Sequence, residues 1–206
     1  MKPIFLIVIA YVTVASGKLQ CDIRPLRLPT DWLDMEGGCV GAVKRQIQDE
    51  IDASIKYMSM GVHFSQDVVS LPGFAEFFFQ SATEKREQAV KLIEYLLMRT
   101  PLSQVADLIK VNAPEVKYWK GTTALEDALK TEAAITKKIK YVIQKCEDND
   151  RSNDYHMVDF LTVEFLDKQY HDQRNLAEKI STLKKMMRSA INDSIGEFLF
   201  DKQFLA

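Results

Sequence analysis

Glu84 and Glu87 stand three residues apart in the run Glu84-Lys85-Arg86-Glu87-Gln88. On an α-helix that spacing puts two side chains on one flank. Carboxylates presented in this way, together with a Glu-x-x-His pattern on facing helices, make a two-metal carboxylate centre inside a helical bundle. Here Gln88 holds the place of the histidine, and Lys85 stands where a further carboxylate would serve. The run is most of a metal centre with a cation built into it. It points to divalent-cation chemistry with electron transfer impaired.

The elements that must position this run read as helices. The first is expected over about 41–64, with Ile47, Ile51, Ile55 and Met58 at helical spacing. Pro72-Gly73 suits the start of a second helix, which carries Phe74, Phe77, Phe78, Leu92, Ile93, Leu96 and Leu97 and ends near Pro101. The stretch from Pro101 to Lys120 is long for a loop in one domain, and a crossover between parallel neighbours of a bundle explains it. A third helix is expected over about 122–146, with Leu125, Leu129 and Ile139 inward. A fourth follows over about 155–187, with Phe160, Val163 and Leu166 inward. A short fifth, over about 192–204, is rich in aromatics. Its apolar Phe198, Leu199, Phe200, Phe204 and Leu205 are expected to bury against other copies, the alternative being that they cap their own bundle. No segment alternates for long enough to read as a strand. The fold class is therefore all-α.

Bulk composition fits one domain. The 206 residues suffice for a sizeable core, and a charged fraction of 27% is ordinary. A net charge of -2, with no basic block, gives no reason to expect nucleic acid or an anionic membrane as partner. Residues 1–17 read as a secretory signal peptide: Lys2, an apolar run from Ile4 to Val14, then Ala15-Ser16-Gly17. The run is too short to span a bilayer. Residues 18–40 form an N-terminal arm and 41–206 the bundle domain. Secretion puts Cys21, Cys39 and Cys146 in an oxidising compartment, where thiols pair. Three is odd, so one is left free or reaches another chain, and the pairing stays open. No CxxC or Cys/His spacing offers them to a metal.

The chain resembles the ferritins. Arg45-Gln46-Ile47 with Glu50, Ala53, Ser54, Tyr57, Met58, Ser59 and Met60 is similar to the family's first helix. Phe74-Ala75 with Glu84, Arg86, Glu87, Ala89, Lys91 and Leu92 resembles the second. Ala128-Leu129 with Glu132 resembles the third, Asp159-Phe160 with Gln169 the fourth, and the run from Glu197 to Lys202 the tail helix. With the signal peptide and the cysteine-bearing arm, the likeness is to secreted insect ferritins. That implies a ferritin-like four-helix bundle with a long crossover and a short fifth C-terminal helix. It also implies iron stored as a ferric mineral in a mixed cage of twenty-four subunits of heavy and light types.

The resemblance further implies that an active ferroxidase centre uses Glu50, Glu84 and Glu132 as iron ligands, with Tyr57 and Gln169 close by. All five are present, whereas Lys85 and Gln88 replace the family's carboxylate and histidine. Light-type subunits of the family carry a lysine at the position of Lys85, which implies a salt bridge to Glu132. The expectation is a structural light-type subunit with no catalytic residues of its own, its iron oxidised by heavy-type partner subunits. Glu50, Glu84, Glu87 and Glu132 would be remnant or mineral-nucleating ligands. Nucleation on the second helix is thinned, because Gln80 and Thr83 are not acidic. Asp159 is the candidate for the threefold channel, where Thr162 replaces a second acid and His156 stands near. Ile195, Leu199 and Gln203 would line an apolar second axis, a poor ion path. Asn192-Asp193-Ser194 matches a glycosylation acceptor that is expected to go unused at the start of the tail helix. Two alternatives stand beside this reading: a ferroxidase-active subunit that tolerates Lys85 and Gln88, and a secreted four-helix signalling bundle.

Overall fold

Helix α1 (Gly37–Phe64) buries Val43, Ile47, Glu50, Ser54, Tyr57, Met60 and Phe64, one residue every three or four, as a single helix face requires. This computed structural model describes residues 29–105, 109–114, 117–147, 153–190 and 192–205. The proposed signal peptide and Cys21 lie outside the described residues. Among those described there is no strand, and no helix is long and apolar enough to cross a membrane.

Helix α2 (Pro72–Arg99) opens on a proline at its first position, where the missing N–H has no intrahelical partner to lose. A one-turn α3 (Leu102–Val105) follows, and α4 (Gly121–Glu147) begins after the long connection. Gly121, at the start of α4, lies against the Phe74 ring at the start of α2, so these two helices run parallel and the connection crosses the length of the bundle. Helix α1 runs against α4, because Cys39 near the start of one is disulfide-bonded to Cys146 near the end of the other. That bond closes a loop across 107 positions. A loop of this size, held closed in the unfolded chain, contributes on the order of 2–5 kcal/mol.

The fourth rod consists of α5 (Tyr155–Leu161), a π-helical turn (Thr162–Leu166) and α6 (Asp167–Ser189). Asp154 caps its start by accepting from Met157 N–H at 3.0 Å, and also holds Arg99 at 2.6 Å. The π-turn corrects one expectation. An extra residue per turn rotates all that follows, so Val163, expected inward, is 56% exposed and Phe165 takes the buried place. Met58 and Leu97, both on apolar spacing, also lie on exposed faces.

The tail helix α7 (Asp193–Phe204) packs on its own bundle with one face only. Asn192 caps it through Ser194 N–H at 2.8 Å. Phe200 is buried, and Phe204 stacks edge-on against Phe74 and face-on against Phe77. Ile195, Phe198, Leu199 and Leu205 stay exposed. The tail thus caps its own bundle with Phe200 and Phe204 and leaves its other large apolar groups open. It is locked by carboxylates placed on two helix starts: Asp201 accepts from Phe74 N–H at 2.9 Å, and Glu197 accepts from Gly121 N–H. Gly73 is required here, since a Cβ at that position would collide with the Asp201 carbonyl. Asp201→Ala is expected to cost about 1 kcal/mol as a lost cap, and Gly73→Ala to lift the tail. Limited proteolysis checks both: cleavage within 190–206 should rise in each variant, and unchanged cleavage in Gly73→Ala would refute the close-packing account.

Candidate functional site

Two apolar regions fill the bundle, one toward the disulfide and one toward the tail. The first gathers Ile47, Leu92, Leu96, Ile139 and Phe165, and the second Phe64, Phe74, Phe78, Leu125 and Leu183. Between them α1, α2, α4 and the fourth rod turn polar side chains inward. Glu50, Lys85, Gln88, Glu132, Thr136 and Gln169 are all buried.

Lys85 is the centre of this layer. Its Nζ lies 2.6 Å from Glu132 Oε2 and 3.6 Å from Glu50 Oε2, and it donates to Gln88 Oε1 at 3.1 Å. Glu50 also accepts from Gln46 Nε2 at 2.8 Å, and Glu132 accepts from the Tyr57 hydroxyl at 2.5 Å. Gln169 Oε1 accepts from Thr136 at 3.1 Å. The Nε2 atoms of Gln88 and Gln169 have no hydrogen-bond partner among the described residues, so the layer keeps unused donor capacity. Burial raises the Glu50 pKa above its ordinary value, with the Lys85 charge only partly offsetting it. Burial first, then the Glu132 carboxylate, pushes the Tyr57 phenol well up, so it acts as a donor.

Glu84 does not join the inner group. It points to the mouth of a partly open cavity of about 280 Å³, lined by Tyr57, Glu84, Lys85, Glu132 and Asp172 among others. There Lys168 of α6 bridges Glu84 Oε2 at 2.8 Å and Asp172 Oδ2 at 3.0 Å. Burial works against the Lys168 ammonium, but its two carboxylate partners outweigh that and hold its pKa above the ordinary lysine value. Lys168 and Asp172 escaped the sequence reading. Asp172 lies three residues after Gln169 and shares its helix flank, so helical spacing alone would have found it.

The remaining candidates are scattered. Glu87 lies exposed on α2, outside the cavity. Asp159 and Thr162 are exposed on the fourth rod. His156 is exposed too, and its Nδ1 is hydrogen-bonded to the Tyr95 hydroxyl at 2.7 Å. Among the described residues no group of three or more His, Cys, Asp and Glu side chains stands ready to hold a metal ion.

The ferritin-like domain family matches residues 40–186. The chain belongs to the ferritin family. It is 50% identical to a ferritin heavy chain of Papilio xuthus over 100% of this chain and 98% of that one. It is 49% identical to a ferritin heavy chain of Trichoplusia ni over 94% and 92%. The crystal structure of Trichoplusia ni secreted ferritin superposes with a TM-score of 0.84 at 49% identity, covering 90% of this chain and 97% of that one.

These likenesses correct the activity expected above and lend the light type no support. The light-type reading rested on two positions, Lys85 and Gln88, whereas the heavy-chain likeness extends over essentially the whole chain. Heavy subunits are the ferroxidase type of the family, so the expectation of a non-enzyme with no catalytic residues is overturned. The physical reason is local. An ammonium among carboxylates shows what balances their charge without iron, and says little about what ferrous iron displaces. Family membership supports iron binding in multi-subunit cages.

Two outcomes test the charge balance of this ferritin's inner layer. Lys85→Met would leave two buried carboxylates with no cation, and is expected to cost about 3–5 kcal/mol of stability in denaturant unfolding without iron. The second concerns pH. Because the folded pKa of Glu50 lies above its ordinary 4.5, the folded state holds this proton longer. Stability is therefore lost as the pH rises from 4.5 toward the folded value. Glu50→Gln removes that loss, so its melting temperature relative to the parent chain should climb over this window and then level off. A relative melting temperature that fell with rising pH would contradict the burial argument.

Proposed function

We propose that this chain is a ferroxidase-active, heavy-type subunit of a secreted ferritin cage that stores iron as a ferric mineral. The observation that carries the reading is the convergence of Glu84, Glu132 and Tyr57 on one partly open cavity, with Glu50 behind it 3.6 Å from the cavity-lining Lys85, in a chain half identical to heavy chains along its length. The disulfide and the likeness to a secreted ferritin support export, with residues 1–17 as the signal peptide. The mixed cage remains part of the proposal, with this chain in the heavy role and a second subunit type beside it.

Ferrous iron is the substrate. Two ferrous ions give one electron each to oxygen, which takes up two protons and leaves as hydrogen peroxide. The chain supplies carboxylates that favour the higher ferric charge. Glu84 at the mouth meets the cation first. Glu50 and Glu132 accept it further in, where Lys85 must yield one positive charge for two. The exchange keeps the buried carboxylates compensated throughout, which is why a cation can enter without the layer opening. Asp159 is proposed as the acid that draws iron through the threefold channel.

The test is the initial rate of ferrous iron oxidation in air by purified cages. The chain should exceed iron in buffer, and Glu132→Ala should lower the rate about tenfold or more, the scale of one lost charge-stabilising group. Lys85→Glu with Gln88→His should raise it. A rate equal to buffer, or one insensitive to Glu132→Ala, would overturn the assignment.

A further inference from the structure

The inner and outer acids of the cavity are neutralised by different lysines in very different surroundings. Lys85 is 3% exposed and can leave Glu50 and Glu132 only as another cation takes its place. The Lys168 side chain is 40% exposed, and its partners Glu84 and Asp172 are comparably open. Its ammonium sits within 3.0 Å of one oxygen from each, one on α2 and the other a turn along α6. It thereby ties Glu84 of α2 to the α6 side of the cavity.

We propose that Lys168 is a positioning residue for the cation substrate. By clamping Glu84 to Asp172 it sets where the first carboxylate points and lowers the affinity of the cavity mouth for divalent cations. The inference builds on the proposed function, since it concerns the route by which ferrous iron reaches the same cavity. A divalent ion arriving at the mouth competes with one ammonium for two carboxylate oxygens. The ammonium, half in water, swings out and regains hydration at little cost. Lys168 therefore acts on how tightly the cation is first held, whereas Lys85 acts on whether it can pass further inward. Oxidation requires both, but only the first step is open to a metal that does not change valence.

The experiment is an anaerobic cobalt(II) titration of assembled cages, followed by visible absorption, on the parent chain, Lys168→Met, Lys168→Arg and Lys168→Met with Glu84→Gln. Removing two half-exposed ion pairs is expected to shift the midpoint about tenfold toward tighter binding in Lys168→Met. Lys168→Arg should keep the parent midpoint, because a guanidinium can bridge the same acids. Glu84→Gln should cancel the gain. In steady-state oxidation the KM for ferrous iron should fall in Lys168→Met by more than kcat changes. A midpoint in Lys168→Met equal to or weaker than the parent, or a gain that survives Glu84→Gln, would overturn the proposal. Cage size and circular dichroism confirm assembly, and Lys168→Gln replaces the methionine variant should that one fail to assemble. Cobalt binding needs no redox step. A chain without Glu132-dependent oxidation would thus sink the ferroxidase reading while the midpoints still decide the role of Lys168.

Discussion

Glu50 and Glu132 lie deep in a helical bundle, and the rest of this structure is arranged so that their charge is never left uncompensated. Two buried carboxylates on facing helices repel each other and have lost their water. The Lys85 ammonium lies 2.6 Å from one and 3.6 Å from the other. Gln46, Tyr57 and Gln88 add hydrogen bonds to this layer. Apolar packing on either side fixes the four rods at the spacing this polar layer needs. The disulfide at one end and the tail at the other hold that spacing at the bundle's extremities.

The same constraint explains how the site deals with a metal. A carboxylate layer that must always contain positive charge exchanges one cation for another more readily than it accepts one into neutral space. Lys85 inside and Lys168 at the mouth divide the acids into an inner and an outer pair. In the proposed mechanism a divalent cation displaces each in turn. Subunit type is a separate matter. A single lysine alters the charge balance of one site, whereas the likeness to heavy chains extends over the length of the chain. Reading the type from the site alone therefore set two positions against the whole chain.

The helices were legible because apolar residues recur at a period of three to four over long stretches, and Pro72 and the cysteines mark their ends. The partnership of Lys85 with Glu132 was within reach once the family resemblance aligned α2 with α4. The π-turn at Thr162–Leu166 was not legible. No side-chain pattern marks an inserted backbone residue, so Val163 was placed inward by an unbroken helical count. The tail was half legible: its apolar richness was plain, but its division into a docked and an open face depends on Asp201 and Glu197 meeting helix starts more than seventy positions away.

By itself, then, the sequence determined the all-α class, the long crossover and the acids and cations available to the site, since these follow from local periodicity and residue type. Only the tertiary structure decided which lysine meets Glu84. Glu84, adjacent to Lys85 in sequence, is paired instead with Lys168, 84 positions away, because adjacent residues on a helix point in different directions. It likewise decided that Cys39 joins Cys146, a choice made by the antiparallel course of α1 and α4 and invisible to spacing along the chain.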